Sequence, residues 1–423
     1  MELASTPPLR LPEMTPRLEL VTTGAELLDG RVVNRHAAWL GAKLAAIGWD
    51  LARDTTVSDD AASIRDALIG AASRAEVVIL TGGLGPTTDD VTRDVVAAWA
   101  RSRVVMHEPT RQYVVDCYRE RNKPLNATVE RHALVVEDAV VLANRHGLAP
   151  GEHLSVGDRH VFLLPGPPRE FQGVMIDHVL PWLLATGAAR ATRVVSFQTA
   201  GLGESDIAAK LAGTPFPGLP VEAAYCAEPG RVSIRLREQD GNADALDQAA
   251  AAVRGALGEW IYAEAETTME QVVADLLKAA GQTMAVAESC TGGLLGQRMT
   301  DLPGSSRYFR GGVIAYHNDA KRDLLDVPAD LLAAHGAVSE PVARAMAHGA
   351  RQRLGADWGV AITGVAGPDG GTPEKPVGLV YIACEGAAGS STAALRLGGG
   401  RGVIRESAAT LALDLLRRAL QKS

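Results

Sequence analysis

Short uninterrupted apolar runs alternate along the chain with stretches of helical periodicity, and the switches between them mark out the elements. In the first third, runs at 18–23, 49–57, 77–80 and 161–164 predict strands. Between them, Leu40, Leu44 and Ile47 share one face of a helix expected over 34–47, and a second helix is expected over 61–73. This alternation is that of a parallel sheet covered by helices. Residues 192–263 read differently: strand 192–199, helix 204–211, strands 221–226 and 232–237, helix 243–257, strand 260–263. That order is the split βαβ pattern of a small α+β unit. Beyond it, Met269, Val272, Val273, Leu276 and Leu277 line one side of a helix over 266–280. Strands are expected at 283–287, 312–317, 358–363, 379–383 and 392–397, a helix over 294–299, and a terminal helix from near Arg401.

The predicted fold class is therefore α/β, with two three-layer α/β domains (17–187 and 265–423) joined by a small α+β connector (188–264). Residues 1–16 hold four prolines and are expected to form a loose leader.

The 423 residues suit two to three domains, and 47% hydrophobic against 22% charged residues supplies cores throughout. A net charge of −8 argues against a dedicated nucleic-acid binder, and 4% aromatics against single-strand stacking platforms. Small molecules are the expected partners. Cys117, Cys226, Cys290 and Cys384 are far apart, which fits a reducing cytoplasm better than a disulfide framework. No apolar window reaches membrane-spanning length, so no membrane partner is expected. A two-fold homodimer through the connector is expected from the prevalence of such assemblies.

Ala287-Glu288-Ser289-Cys290-Thr291-Gly292-Gly293 sits where a strand turns into a helix. Such a turn presents Ser289 at the sheet edge, lets backbone at Gly292 and Gly293 approach a ligand, and predicts helix N–H groups free for an anion or oxyanion. The plainer alternative is an ordinary helix start capped by Ser or Thr. Serine needs a base, and no Ser-His-Asp set is evident, so the base would be Tyr316 or Lys321 with a lowered pKa. Cys290 is a rival nucleophile, ranked lower because the residue after the turn should face inward. Thr363, Gly364 and Gly367 end another strand, where the two glycines are expected to let backbone meet the substrate, and Arg401 and Arg405 open the last helix, where either would clamp a phosphate. Taken singly, each has a bland reading: Tyr316 packed against the sheet, Lys321 and Arg405 solvated, and Thr363 satisfying loop backbone.

The other cluster is Thr81-Gly82-Gly83-Leu84-Gly85-Pro86-Thr87-Thr88-Asp89-Asp90. Its glycines leave backbone N–H groups open to cradle a phosphate. Asp89 and Asp90, with Asp59 from the preceding strand end, would hold a divalent cation against that phosphate. Pro165-Gly166-Pro167-Pro168 is a locked turn that aims Arg169 and Glu170.

Gly24–Gly30 (containing Glu26) with Asn34, the run Thr81–Thr92, and Leu164–Glu170 resemble the molybdopterin-binding (MoCF-like) domain that opens CinA-family proteins. Ala287–Leu295, Gly312–Lys321, Gly336–Ala347 and Ala361–Gly378 resemble the CinA C-terminal domain, and the middle segment loosely resembles the family's KH-like connector. The resemblance implies a nicotinamide-nucleotide amidase, converting nicotinamide mononucleotide (NMN) to nicotinic acid mononucleotide and ammonia, with no cofactor. Its serine, tyrosine, lysine and threonine fall on Ser289, Tyr316, Lys321 and Thr363, and its arginine on Arg401 or Arg405. For the first domain it implies metal-dependent hydrolysis of ADP-ribose at the pyrophosphate, with metal-handling acids at Asp59 and Asp90. The alternative it leaves is a nucleotide- or pterin-binding scaffold in competence or DNA-damage response.

Overall fold

The structure, a computed structural model, describes residues 17–186, 193–239, 241–387 and 389–422. The expected leader and the expected border at 187/188 lie outside the described residues. The chain divides into two compact units, 1–191 and 192–423.

The strands of the first unit are β1 (Leu18–Thr23), β2 (Leu51–Val57), β3 (Val77–Thr81), β4 (Val104–Met106), β5 (Leu134–Val136), β6 (Val140–Leu142), β7 (Gly151–Val156) and β8 (Arg159–Leu164). Six of them form a sheet in the order β2-β1-β3-β8-β7-β6, and β4 pairs with β5 alone. Every residue of β1 and β3 is buried, as befits central parallel strands covered on both faces. Alternation splits β3 between two cores. Val78 and Leu80 pack with Ile64 and Leu68 on one face, and Val77 and Ile79 with Leu40, Leu44 and Phe171 on the other. The Ala61–Arg74 helix starts at Asp60, whose carboxylate accepts the Ala62 and Ser63 N–H groups. The parallel strands are as expected, and the sheet adds an edge not read in the sequence, where β7 pairs antiparallel with β8 and β6 with β7. β2 and β3 flank β1 on opposite sides, so the loops after β1 and β3 diverge and open a crevice at the strands' C-terminal ends.

In the second unit, β9 (Val194–Ala200), β10 (Val221–Glu228), β11 (Arg231–Glu238) and β12 (Ile261–Ala263) form an antiparallel sheet in the order β10-β11-β9-β12. The Glu204–Leu211 and Ala243–Leu257 helices share its core through Ile207, Leu246 and Val253. Then β13 (Met284–Glu288), β14 (Phe309–Ile314), β15 (Trp358–Gly364), β16 (Leu379–Gly386) and β17 (Gly389–Arg396) make a sheet in the order β14-β13-β15-β16-β17. Its first three strands are parallel and the last two antiparallel. The Met269–Ala280 and Arg401–Leu420 helices cover one face and Glu340–Arg353 the other. β13 again has its successors on opposite sides, so loops after β13 and β15 flank a second crevice. The small sheet packs onto the terminal helix: a Cβ at Gly230 would lie 3.1 Å from the Ser407 Cα, and Arg417 Nη2 donates to the Glu259 carbonyl at 2.9 Å. Strand β14 ends at Ile314, three residues before the expected 317, so Tyr316 stands beyond it.

Candidate active sites

Ser289 is the first residue after β13, anchored by its N–H to the Ile362 carbonyl at 2.9 Å. Its Oγ lies 3.2 Å from Lys321 Nζ. The lysine, expected singly to be solvated, is 1% exposed. Its amine also donates to the Ala315 carbonyl at 2.8 Å and the Tyr316 carbonyl at 3.1 Å. Among the described residues no carboxylate pairs with it, and burial holds its amine below the ordinary lysine value. An amine with two protons committed to carbonyls turns its remaining position toward the serine oxygen. That is the arrangement of a base and a nucleophile.

Cys290 is buried, and burial pushes its thiol up to about 11, so it is a poor thiolate source. The expected free helix start is corrected. Glu288, 1% exposed, accepts the N–H of Gly293 (3.0 Å), Leu295 (3.0 Å) and Gly296 (2.8 Å). The Leu294–Thr300 helix therefore has no amide to offer there, and neither Ser nor Thr caps it. Among the described residues no other residue accepts from the turn's own N–H groups at Cys290 and Thr291; that of Cys290 meets its own thiol.

Tyr316 is exposed, and Arg401 Nη2 donates to its hydroxyl at 3.1 Å while Nη1 reaches the Gly367 carbonyl at 2.7 Å. Arg405 Nη2 donates to the Thr291 carbonyl at 2.6 Å, beside Gly292. Arg405 thus braces the serine turn, and Arg401 stands at the rim with Tyr316. Thr363 is fully buried and its hydroxyl donates to the Ala337 carbonyl at 2.8 Å, which is the bland role weighed for it. Gly364 and Gly367, expected to face a ligand, are set by packing: a Cβ on either would come 2.6 Å from Val380 or Val377.

In the first unit the crevice is a cavity of about 700 Å³ lined by Glu26, Asn34, Asp59, Thr81, Gly82, Gly83, Gly85, Asp89, Asp90 and Glu170, while Arg169 is not part of its lining. Gly83 has φ +65°, and a Cβ there would overlap Thr92 Oγ1. The N–H groups of Gly83, Leu84 and Gly85 have no acceptor among the described residues, so the cradle is open. Thr81 Oγ1 donates to the Pro165 carbonyl at 2.9 Å and locks the two loops together. Asn34 bridges Thr22 and Thr56 at 3.3 Å each, which makes it a brace of the wall.

The three aspartates meet at this cavity but are partly committed. Asp59 Oδ2 accepts the Ala25 N–H at 2.8 Å, and Asp90 Oδ2 accepts the Thr87 N–H at 2.8 Å and its hydroxyl at 2.5 Å. Among the described residues no three His, Cys, Asp or Glu side chains are gathered as a complete metal site. The donor set still fits a magnesium-like ion, which takes one or two carboxylates and completes its shell with water and substrate phosphate.

Sequence reasoning missed Glu288 and the wall formed by Asn144–Ala149. Asn144 Nδ2 donates to the Ala149 carbonyl (2.8 Å) and to Glu170 Oε2 (2.7 Å), and brings His146 to the cavity. It also missed Arg93, buried against Glu152, whose Nη1 holds the Leu84 carbonyl of the cradle at 2.8 Å.

Residues 19–185 match the family described as a probable molybdopterin binding domain, and residues 266–420 match the CinA C-terminal domain. A CinA-like protein of Gemmatimonas aurantiaca is 43% identical over 417 residues, covering 96% of this chain and 96% of that protein. The chain belongs to the CinA family. Another CinA-like protein, from Dictyoglomus thermophilum, is 38% identical over 96% of this chain and 99% of its own length. Among solved structures, the competence/damage inducible protein CihA from Agrobacterium tumefaciens is 42% identical over 36% of this chain and 93% of that one, with a TM-score of 0.35. The match to CinA relatives thus spans both units, and among the described residues no helix is long and apolar enough to cross a membrane.

Proposed function

We propose that this CinA-family chain is a bifunctional hydrolase of pyridine nucleotides, deamidating NMN in its second unit and cleaving ADP-ribose in its first. The observation that carries the amidase reading is the buried Lys321 amine 3.2 Å from Ser289 Oγ. Lys321 takes the serine proton as Oγ attacks the amide carbonyl. The C–N bond breaks, ammonia leaves with that proton, and an ester on Ser289 remains. Water, deprotonated by the same amine, hydrolyses the ester to the carboxylate and restores the serine. Arg401 and Tyr316 at the rim would bind the nucleotide phosphate or ribose.

In the first unit, the amides of Gly83 to Gly85 would hold the pyrophosphate. A divalent ion held by Asp59 and Asp90 would neutralise its charge. Ser289→Ala should abolish ammonia release from NMN and leave AMP formation from ADP-ribose unchanged. Asp90→Ala should do the reverse. An amidase rate unchanged by Ser289→Ala would falsify the first assignment, and AMP formation surviving both Asp90→Ala and chelator would remove the second.

A further inference from the structure

Glu288 occupies a core position. By the two-residue period of β13 it shares a face with Met284 and Val286, which lie in the apolar core under the terminal helix, while Ala285 and Ala287 face the opposite core. A buried carboxylate is costly there unless its charge is met by donors. Among the described residues no Arg, Lys or His pairs with Glu288. Its partners are three backbone amides of the helix that follows the serine turn. That helix, Leu294–Thr300, is seven residues long, too short to hold its first turn on propensity alone. From the other side Arg405 grips the Thr291 carbonyl. Among the described residues, the polar groups of the turn that no other residue takes are the N–H of Cys290, the N–H of Thr291 and the fully buried Thr291 hydroxyl.

The geometry assigns Glu288 as a positioning residue: it binds the amides at the helix start, fixes Ser289 Oγ against Lys321, and leaves the developing oxyanion to the Cys290 and Thr291 amides. This rests on the amidase reading for its reaction but not for its test. A fluorophosphonate probe reports serine activation without NMN, because Oγ displaces fluoride from phosphorus and leaves a tetrahedral, oxyanion-like adduct on Ser289.

Glu288→Gln keeps the size but sets an NH2 group against amides. Labelling of Ser289 should slow by about 100-fold, the scale of a small misplacement of reacting groups. The melting transition should persist, and kcat for NMN should fall in parallel with KM little changed. A folded variant that labels within about threefold of wild type overturns the assignment. Amide hydrogen exchange on the wild-type chain decides the matter independently of whether the variant folds or the serine labels. Gly293, Leu295 and Gly296 should exchange slowly and Cys290 and Thr291 fast; fast exchange at the first three overturns the assignment. A wild type that labels but releases no ammonia from NMN refutes the substrate reading alone, and the labelling ratio still judges Glu288.

Discussion

Replacing Lys321 with Met separates the chemistry of the amine from its bulk. The side chain is buried, and its amine is shared among Ser289 Oγ and the carbonyls of Ala315 and Tyr316. Loss of a general base costs about 10²–10⁴-fold in rate, which is about 2.7–5.5 kcal/mol of transition-state stabilisation. The structural cost is smaller. A buried carbonyl left without its donor costs about 1–3 kcal/mol, and removing an amine that pays a desolvation penalty offsets part of that. The variant should therefore fold, bind NMN with an unchanged KM, and release ammonia at least about 100-fold more slowly. The pH dependence carries the sign. Burial holds the Lys321 amine below the usual 10.5, so the neutral base is populated earlier on raising the pH. Wild-type kcat should rise with pH through a midpoint below 10.5, and the lysine's contribution to stability, largest above 10.5, should fall away as pH drops through that lowered value. Both slopes should vanish in Lys321→Met. Ammonia release within tenfold of wild type, or an unchanged alkaline limb in the variant, would sink the base assignment.

Gly83→Ala should lose ADP-ribose cleavage while ammonia release from NMN continues, since φ +65° disfavours a side chain and the added methyl overlaps Thr92 Oγ1; wild-type AMP formation in that variant would show that the loop is not the cradle. His153 lies stacked on Phe162 at 4.2 Å between ring centres, with Trp182 edge-on at 5.1 Å. Burial, and then the neighbouring His160, push its imidazole from 6.5 down to about 4. The neutral ring's contribution is full above 6.5 and lost as pH falls through 4, a swing of about 3 kcal/mol. Thermal melts of the chain from pH 7 to 4 should show it, and His153→Phe should flatten the slope; an unchanged slope would place the acid sensitivity elsewhere.

Elements whose apolar runs are fully buried were legible in the chain. β1 and β3 carry no solvent face, so their runs needed no partner to be read. β4, β5 and β6 were not, because three-residue strands at an edge or in a small pair leave too little pattern. Missing β6 hid the Asn144–Ala149 wall that follows it. Among the site residues, Ser289 announced itself through its turn, but the residues alone left the base open between Tyr316 and Lys321. The choice depends on burial: Lys321 is 1% exposed and Tyr316 61%. Glu288 was invisible for a different reason. An acid beside a helix start reads as ordinary first-turn chemistry, and nothing linear shows that β13 places it on the core face under amides five to eight positions ahead.

The two crevices begin from one topological device and end in opposite electrostatics. In each unit a central strand has its successors on either side, so two loops part at the sheet's C-terminal edge. After β3, glycines hold the amides of residues 83–85 outward with no acceptor among the described residues, while Asp59 is turned to Ala25 in the loop after β1 and Asp90 to Thr87 of its own loop. That leaves a standing partial positive charge suited to an anion already present in the substrate. After β13 a carboxylate takes the helix amides, so among the described residues no comparable cradle of amides survives beside Ser289. The remaining donors are the two amides of the turn itself, beside the nucleophile. Interactions that are worth most when charge develops on the attacked carbonyl favour the transition state over the bound substrate. Placing a static anion site at the heart of one crevice, and keeping it away from the nucleophile in the other, is what a chain needs if it is to bind a pyrophosphate with the first and attack an uncharged amide with the second.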